Sequence, residues 1–525
     1  MILDYLQSHL NSEQFAAASD HSHHSLILAW AGSGKTRVLT YKIAYLIYWR
    51  AIKPYRIMAV TFTNKAAQEM KHRLVAINKE CIAAWLTQEY VWDMKRVGTF
   101  HGLFLKFLKE EIESLGVWYT SSFGIYDDGE SKSIIKRLAW DDADTIKYAI
   151  SALKSKWISS EKFLRTCEPH EENIALMYDK YQKVLITSNM VDFDDLLLLP
   201  YQILSKSSDI LEKRQKKFDH ILVDEAQDTN WIQFNLMKLL SGKSIISFIW
   251  DDYQSIYRRR GAQMENFLQV DTIRKDIKTY KLPINYRSKP HIVDAWHHLI
   301  KKNTKQYTKE AFSHRQWSEH IIILETESEM DEAKKVMTLI KETASKTGTY
   351  SDVVILYRKN KLSSNLEQVA IAENIPYKIY WWVRFLDRKE IKDMLSYLKY
   401  INNPKDTVSL KRIINTPRRW IWPESVEKLE QYARIHKMTM HDVIMNSELL
   451  PLEISTKARW GISGFRQLLL DLDISWWPAD LIAQLIKKIK YKEYVLESEW
   501  KEVSEERMDN IGELIVLAWR YVWTN

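Results

Sequence analysis

The segment that most restricts how this chain can fold is AGSGKT (residues 31–36), between an apolar run and a helical pattern. The run before it, Ser25 to Trp30 (SLILAW), is typical of a buried strand, and Lys35 to Tyr48 is predicted to form the next helix. Small residues at such a junction let backbone N–H groups approach phosphates closely, and the lysine and threonine add a charge and a hydroxyl for Mg²⁺. The segment therefore predicts a phosphate-binding loop on a parallel sheet.

A pair of carboxylates follows another apolar run about 190 residues later. His220 to Asp224 (HILVD) is predicted to be a strand, and Glu225 comes directly after it. Beside a phosphate loop, one such carboxylate holds Mg²⁺ and the next orients the attacking water. We assign Asp224 to the metal and Glu225 to the water. Together the two motifs predict an ATPase or a GTPase, and they leave open whether it is a motor.

The order of apolar runs and helical patterns predicts an α/β fold with two sheet regions and two helical ones. Residues from about 106 to 195, and those after about 383, favour helices. The predicted strands of the first sheet are Ser25 to Trp30, Arg56 to Thr61, His220 to Asp224 and Ser244 to Trp250. Those of the second region are His320 to Thr326 and Asp352 to Tyr357. A helical insertion within an α/β domain explains the first interruption.

Composition excludes several classes of protein. The hydrophobic share of 46% and the charged share of 27% are those of a globular chain rather than a disordered one. A net charge of +8 is compatible with a polyanionic partner. The two cysteines lack metal-ligand spacing and fit a reducing cytosol, and neither a signal peptide nor a membrane-spanning run is visible. We therefore predict a cytoplasmic protein of several domains that has no membrane partner.

Four further polar segments indicate adenine, a γ-phosphate and a polynucleotide as ligands. Upstream of the first strand, Gln14 is placed to read an adenine edge. TFTNKAA (61–67) mixes polar, cationic and aromatic side chains, which suits a single nucleic-acid strand. DDYQSIYRRRGA (251–262) combines a carboxamide for the nucleotide with an aromatic and cationic cluster for DNA. In NYRS (285–288), we expect the arginine to reach the γ-phosphate and the tyrosine to stack on the base.

The order of these segments resembles that in UvrD/Rep-type superfamily-1 DNA helicases. The matching segments are LNSEQ, AGSGKT, TFTNKAA, VGTFHG, DFDDLL, ILVDEAQDTN, DDYQSIYRRRGA, INYRS and FLDRKEIKD. The resemblance covers essentially the whole chain and implies a P-loop NTPase with two RecA-like domains, each bearing a helical insertion. It also implies 3′-to-5′ movement on single-stranded DNA and duplex unwinding. The implied domains are 1–105 with 196–280, their insertion 106–195, the first part of the second RecA-like domain 281–380, and its insertion 381–525.

The resemblance further implies a role for each matching residue. ATP is bound by Gln14, Ala31, Gly32, Ser33, Gly34, Lys35, Thr36 and Tyr286, and Mg²⁺ by Thr36 and Asp224. Hydrolysis depends on Asp224, Glu225, Gln254 and Arg287. DNA is contacted by Phe62, Thr63, Asn64, His101, Tyr257 and Arg259. Relatives usually carry an aromatic residue at Arg259, where a guanidinium can also stack on a base. The implied partners are single-stranded DNA, junctions with duplex DNA, and repair or replication proteins.

Two further motifs of the family have no counterpart before Asn525, namely an HxAKGLEF-type segment and one with a γ-phosphate arginine. A partial second sheet exposes an unpaired edge and apolar surface. We therefore expect this chain to bind nucleotide weakly and to unwind DNA inefficiently. An inactive or DNA-binding-only fragment, and the motor part of a helicase–nuclease, remain as alternative interpretations. ATP hydrolysis with and without single-stranded DNA distinguishes a motor from an inert fragment.

Tryptophan stands at several positions where relatives usually carry glycine. These positions are Trp30, Trp157, Trp250, Trp381, Trp382, Trp420 and Trp422. The 13 glycines and 21 tryptophans together make up about 6.5% of the chain, close to the usual share of about 7% for glycine alone. We interpret this as a misread UGA codon, which means tryptophan in some genetic codes and glycine in certain bacterial lineages. Real divergence is the alternative, and UGG codons at positions 30, 250, 381 and 382 would establish it.

Overall fold

The computed structural model describes residues 2–83, 94–138, 143–255, 276–303, 310–316, 320–359, 362–379, 388–473, 477–498 and 501–522. Four of the sequence predictions, on Tyr257, Arg259, Trp381 and Trp382, lie outside these described residues. The chain forms two compact units, Met1–Gln316 with Lys389–Asn525, and Trp317–Arg388. Each unit is described by itself below.

Ten strands occur in the described part of the chain, all of them in the first unit. They are β1 (Ser25–Ala29), β2 (Ile57–Thr61), β3 (Val97–Thr99), β4 (Gly124–Ile125), β5 (Met190–Val191), β6 (His220–Val223), β7 (Ile245–Trp250), β8 (Lys278–Leu282), β9 (Ile284–Asn285) and β10 (Phe312–Ser313). Six of them form one parallel sheet in the order β3-β2-β6-β7-β1-β8. Because the strands are parallel, all six end at the same edge of the sheet. The predicted strands of the first sheet are confirmed within one residue at either end.

Helices supply most of the remaining described structure. They are α1 (Ile2–Ser8), α2 (Ser12–Ser19), α3 (Lys35–Ala44), α4 (Asn64–Ala83), α5 (Phe100–Glu111), α6 (Asp128–Leu138), α7 (Ala143–Ser155), α8 (Ser160–Thr166), α9 (Glu172–Thr187), α10 (Asp195–Lys206), α11 (Ser208–Gln215), α12 (Trp231–Ser241), α13 (Pro290–Ile300), α14 (Glu329–Thr347), α15 (Ser363–Ala372), α16 (Lys389–Asn402), α17 (Thr407–Ile413), α18 (Pro423–Ile435), α19 (Met440–Met445), α20 (Thr456–Leu470), α21 (Pro478–Lys488), α22 (Tyr491–Ser498) and α23 (Lys501–Val522). After α3, the predicted helix continues as a π-helical turn, Tyr45–Trp49. Among the described helices, none is long and apolar enough to cross a membrane.

Helices cover both faces of the six-stranded sheet. Leu26 and Leu28 of the interior strand β1 pack in the layer formed with α5, α10 and α12. Ile27 and Ala29, which point the other way, pack against α2, α3 and α4. A strand buried on both faces is apolar at nearly every position, which is why the sequence shows a continuous run there rather than an alternating one. The sheet is therefore a rigid platform whose carboxyl edge carries the loops.

The predicted helical region between about residues 106 and 195 is confirmed, since α6 to α9 occupy most of it. Its core contains a fully buried lysine, Lys154, whose Nζ lies 2.7 Å from Asp192 Oδ2 and 2.8 Å from Asp195 Oδ1. A buried ammonium is costly unless hydrogen-bond acceptors or opposite charges compensate it, and here two carboxylates do so. Lys154 lies on α7 and Asp195 begins α10, so this ionic cluster joins the helical region to the helices that cover the sheet.

The second unit contains α14 and α15, which share an apolar contact through Ala333, Met337 and Val369. The two strands predicted here, at 320–326 and 352–357, are wrong for the described residues, because neither segment is assigned to a strand. Ile323 is 90% exposed and Leu356 is 88% exposed. An apolar run becomes a strand only when a neighbouring strand accepts its backbone hydrogen bonds, and neither segment pairs with one in the described part of this unit.

Of the five tryptophans at usual glycine positions that the structure describes, two have left-handed backbones. Trp157 has a φ of 58° and Trp420 a φ of 61°. Glycine adopts this conformation freely, whereas a Cβ makes it unfavourable. Trp422 has an ordinary φ of −77°, and Trp30 and Trp250 are buried with no positive φ. The backbone at positions 157 and 420 therefore agrees with glycine there, as the codon hypothesis requires.

Replacing Trp420 by glycine is expected to give a more stable protein than replacing it by alanine, by about 1 kcal/mol. Both variants remove the same exposed ring, so their difference reports the cost of a Cβ in the left-handed conformation. Thermal or denaturant unfolding of the two variants measures it. The same pair of changes at Trp157 should repeat the result. Equal stability of the glycine and alanine variants at both positions would contradict this account.

Candidate functional site

The loop between β1 and α3 depends on two glycines with left-handed backbones. Gly32 has a φ of 78° and Gly34 a φ of 86°. A Cβ at Gly32 would lie 2.7 Å from the Cβ of Arg287, and one at Gly34 would lie 2.8 Å from Nε2 of Gln14. Both positions therefore require glycine for its conformation and for the close approach of a neighbour. The approach brings two predicted site residues, distant in sequence, against the loop.

Lys35 lies at the centre of the candidate site. Its Nζ is 2.9 Å from Oε2 of Glu225 and 3.8 Å from Oδ2 of Asp251, and its side chain is only 9% exposed. The strand order explains this meeting, because β7 lies between β1 and β6 and all three end at the same edge. A cation and two carboxylates from three strands thus converge beside the glycine loop. This is the arrangement expected for holding a phosphate group and a hydrated metal ion.

Asp224 is buried at the end of β6, and its Oδ1 accepts the backbone N–H of Glu225 at 3.0 Å. Burial, helped by the negative charge of Glu225, raises the pKa of Asp224 to about 7. A carboxylate in this position gains from a cation placed against it. Among the described residues, no group of three or more His, Cys, Asp or Glu could hold a metal ion. Mg²⁺ needs only one or two such carboxylates beside phosphates and water, so Asp224 and the half-buried Thr36 fit it.

The NYRS segment contacts the loop through its backbone and through Asn285. The side-chain amide of Asn285 donates to the carbonyl oxygen of Ala31 at 2.7 Å, and the N–H of Tyr286 donates to Gly32 at 2.9 Å. Oδ1 of Asn285 accepts the N–H groups of Arg287 and Ser288, each at 2.8 Å. Asn285 therefore fixes the turn that presents the predicted tyrosine and arginine beside the loop.

Gln14 is held at the loop by both ends of its amide. Its Nε2 donates to the carbonyl oxygen of Ser33 at 2.8 Å, and its Oε1 accepts the N–H of Asn11 at 3.1 Å. Asn11 in turn donates from its amide to the hydroxyl of Tyr286 at 2.8 Å. The structure thus brings together Gln14 and Tyr286, the two residues predicted to contact adenine. It also shows that the Gln14 amide is bound to the protein itself, which the sequence did not indicate.

Gln254 and Arg287 approach the site from two sides. Nε2 of Gln254 donates to Oδ2 of Asp251 at 2.6 Å. The same carboxylate lies near Lys35, so Asp251 links Gln254 to Lys35. The side chain of Arg287 is exposed, and its backbone is fixed beside Gly32. Gln254 therefore contacts the cluster formed by Lys35, Glu225 and Asp251 directly, whereas Arg287 lies beside the glycine loop.

The residues predicted to contact DNA follow β2 and β3, at the same edge of the sheet. Thr63 and Asn64 are exposed and Phe62 is half-buried, and the Thr63 hydroxyl accepts the N–H of Ala66 at the start of α4. On α5, His101 lies edge-to-face with Phe193, with ring centroids 6.2 Å apart. Burial lowers the pKa of His101, which makes the ring neutral at neutral pH. It is suited to stacking or hydrogen bonding rather than to pairing with phosphate.

Sequence reasoning missed three residues that the structure brings into this region. They are Gln227, Asn285 and Phe193. Each lies inside a segment already singled out, namely ILVDEAQDTN, INYRS and DFDDLL. An amide or an exposed aromatic ring inside such a segment is the signal that could have identified them. Their partners lie far away in sequence, so their roles could not be derived from spacing.

Two protein families match consecutive parts of the chain. The UvrD/REP helicase N-terminal domain matches residues 10–275, and the UvrD-like helicase C-terminal domain matches residues 280–456. The chain is similar to the ATP-dependent DNA helicase PcrA of Staphylococcus epidermidis, with 34% identity over 531 aligned residues. It is also similar to the PcrA of Staphylococcus aureus, with 34% identity over 530. Both alignments cover 98% of this chain and 70% of the relative.

The matched regions contain every described residue of the candidate site. The first spans the glycine loop and the carboxylates after β6, and the second begins just before the NYRS segment. The parallel sheet with helices on both faces, and the glycine loop at its carboxyl edge, have the form of a RecA-like P-loop domain. The chain therefore belongs to the UvrD/REP helicase family.

Proposed function

We propose that this chain is an ATP-dependent DNA helicase that moves 3′ to 5′ along single-stranded DNA. The observation that carries the proposal is the meeting of Lys35, Glu225 and Asp251 at the sheet edge where β2 and β3 present Phe62 and His101. A nucleotide site and a polynucleotide surface on one rigid edge can be mechanically coupled. The similar PcrA proteins are ATP-dependent DNA helicases by name, which supports the same activity.

In this proposal the chain holds Mg²⁺–ATP at the loop after β1. The backbone N–H groups of residues 31–36 and the Lys35 ammonium bind the β- and γ-phosphates, while Thr36 and Asp224 hold the metal. Gln14 and Tyr286 contact the adenine. Glu225 accepts a hydrogen bond from the attacking water and directs it at the γ-phosphorus. The metal, when bound, neutralises negative charge on the phosphates.

Gln254 and Arg287 connect the γ-phosphate to the rest of the molecule in this scheme. Gln254 hydrogen-bonds Asp251, which lies 3.8 Å from Lys35, so loss of the γ-phosphate changes the charge that Gln254 senses. The Arg287 side chain is exposed beside Gly32, so its guanidinium can extend towards a phosphate bound at the loop. After hydrolysis, Gln254 and Arg287 would lose their contacts with the γ-phosphate. The segments that contain them, after β7 and after β9, would then move, and this movement is the proposed motor step.

DNA is proposed to lie across the ends of β2 and β3. Phe62 and His101 contact bases, Thr63 and Asn64 contact the backbone, and Tyr257 and Arg259 remain predictions of the same kind. Single-stranded DNA and its junctions with duplex DNA are the proposed partners, in repair or replication. We infer a cytoplasmic location from the composition and from this substrate.

The proposal is tested by measuring ATP hydrolysis by the full chain with and without a single-stranded oligonucleotide. A motor should turn over at least about 10-fold faster with DNA, because electrostatic contacts to the strand are linked to closure around the nucleotide. Duplex DNA of the same sequence, without single-stranded tails, is the control ligand. ATP turnover that is indifferent to DNA would exclude a motor, and DNA binding without any turnover would leave a binding protein only.

Direction of movement is tested with streptavidin bound to one end of a biotinylated single strand. A 3′-to-5′ motor should displace streptavidin from the 5′ end in an ATP-dependent manner and leave the 3′ block in place. Displacement from the 3′ end alone would reverse the proposed polarity.

A further inference from the structure

We propose that Gln227 is a positioning residue that holds the carboxylate of Glu225 in its working orientation and links it to the end of β7. The inference rests on the proposed ATP hydrolysis at this site and adds a residue to which the sequence assigned no role. Gln227 is 1% exposed and lies two residues after Glu225, in a short 3-10 turn.

The Gln227 amide has both of its ends engaged. Its Nε2 donates to Oε2 of Glu225 at 2.6 Å, and its Oε1 accepts the backbone N–H of Asp251 at 3.0 Å. A backbone N–H can only donate and an ionised carboxylate can only accept, so the partners determine which way the amide faces. A buried, doubly bonded amide cannot rotate without leaving polar groups unpaired, which costs free energy.

The orientation of the Glu225 side chain depends on its hydrogen-bond partners, because packing buries the side chain only in part. The residue has φ 50° and ψ 44°, the left-handed region, and its side chain is 30% exposed. Among the described residues, Oε2 of Glu225 contacts two donors, Lys35 at 2.9 Å and Gln227. Lys35 is proposed to bind phosphate as well. Gln227 is therefore the partner whose side chain contacts only protein groups, namely Glu225 and the backbone N–H of Asp251.

The same amide connects Glu225 to the residues proposed to sense the γ-phosphate. Asp251 donates its N–H to Gln227 and accepts the amide of Gln254 on its carboxylate, at 2.6 Å. A displacement at Gln254 thus reaches Glu225 through two hydrogen-bonded side chains. We infer that Gln227 lets the end of β7 control the position of the carboxylate that directs the water.

The test compares Gln227→Ala and Gln227→Glu with the unmodified chain. Alanine removes the donor to Glu225, and glutamate replaces it, without a change of size, by a carboxylate that repels Glu225. We expect kcat for ATP hydrolysis, with DNA present, to fall about 10- to 100-fold in both variants. The KM for ATP should stay within about 3-fold, because Gln227 contacts none of the groups proposed to bind phosphate. Thermal unfolding of each variant establishes that it is folded.

A double-mutant cycle separates positioning from a general structural role. In a Glu225→Gln background, Gln227→Ala should cause little further loss, because its effect acts through the carboxylate already removed. Gln233→Ala is the matched control. Gln233 is also buried, but its amide caps the start of α12 at Asn230 and does not contact Glu225. That change is expected to lower stability and to leave kcat within about 2-fold.

The outcomes distinguish this inference from the proposed function. An unmodified chain without DNA-stimulated hydrolysis would remove the proposed function, and the inference with it. An active unmodified chain whose Gln227→Ala and Gln227→Glu variants keep kcat would overturn the inference alone. Losses that multiply in the Glu225→Gln background would do the same, since they would show that Gln227 acts independently of Glu225.

Discussion

Replacing Lys35 by methionine is expected to lower the rate of ATP hydrolysis by at least about 100-fold. The ammonium is nearly buried between Glu225 and Asp251, where its charge is screened far less than in water. Without it, phosphate groups entering the site would face Glu225 and Asp251 without the ammonium that lies against both carboxylates. Nucleotide affinity should fall as well, because the lysine is proposed to contact the substrate in its ground state. Steady-state hydrolysis and nucleotide titration measure the two effects.

The matched control for this change is Lys42→Met, on the same helix. The Lys42 ammonium is also buried, but it donates to the carbonyl oxygens of Ala17 and Asp20 rather than to site residues. Burial lowers the pKa of Lys42 to about 8. Its loss leaves two carbonyl groups unpaired, so the variant should unfold at a lower temperature while keeping ATP hydrolysis within about 3-fold. Comparable losses of activity in the two variants would argue against a specific role for Lys35.

Replacing Glu225 by glutamine is expected to reduce hydrolysis by about 100- to 1,000-fold while nucleotide affinity is kept. An amide has the shape of the carboxylate but cannot accept a proton from water. The groups proposed to hold phosphate and metal, Lys35, Thr36 and Asp224, are all retained. Removing the Glu225 charge also removes one cause of the raised pKa of Asp224, which favours its ionised, metal-binding form.

The expected effects of Lys35→Met and Glu225→Gln therefore differ in which property is lost as well as in magnitude. Lys35→Met should weaken nucleotide binding and hydrolysis together, whereas Glu225→Gln should separate them. Titration of a fluorescent ATP analogue with Mg²⁺, followed by a single-turnover measurement, gives both quantities. Hydrolysis by Glu225→Gln within about 5-fold of the unmodified chain would show that another group directs the water.

The strands of the first sheet and the glycine loop could be predicted from sequence because the patterns that indicate them lie within short segments. A continuous apolar run specifies a strand buried on both faces, and small residues before Lys35 specify a turn into a helix. The same reasoning failed at 320–326 and 352–357. Those runs have the right composition, but a strand exists only with a partner, and a single segment does not reveal whether one is present.

The tryptophan positions show how sequence and structure constrain each other. Composition and family pattern indicated a misread codon, and the backbone then singled out Trp157 and Trp420 as the positions where a side chain is most costly. At Trp30 the structure shows a different situation. Its ring is buried 4.7 Å from Tyr253 and 5.3 Å from Trp296, centroid to centroid, so the fold accommodates it. Sequence alone treated these positions as equivalent.

By itself, the sequence determined the chemical groups of the site, since the loop, the carboxylates after β6 and the family resemblance are all contained in short segments. Only the tertiary structure decided how these groups meet. The order β6-β7-β1 brings Glu225 to Lys35, and the turn fixed by Asn285 brings Tyr286 to the loop. It also revealed that Gln227 joins Glu225 to Asp251. Such contacts depend on strand order and side-chain direction, which no local pattern of residues encodes.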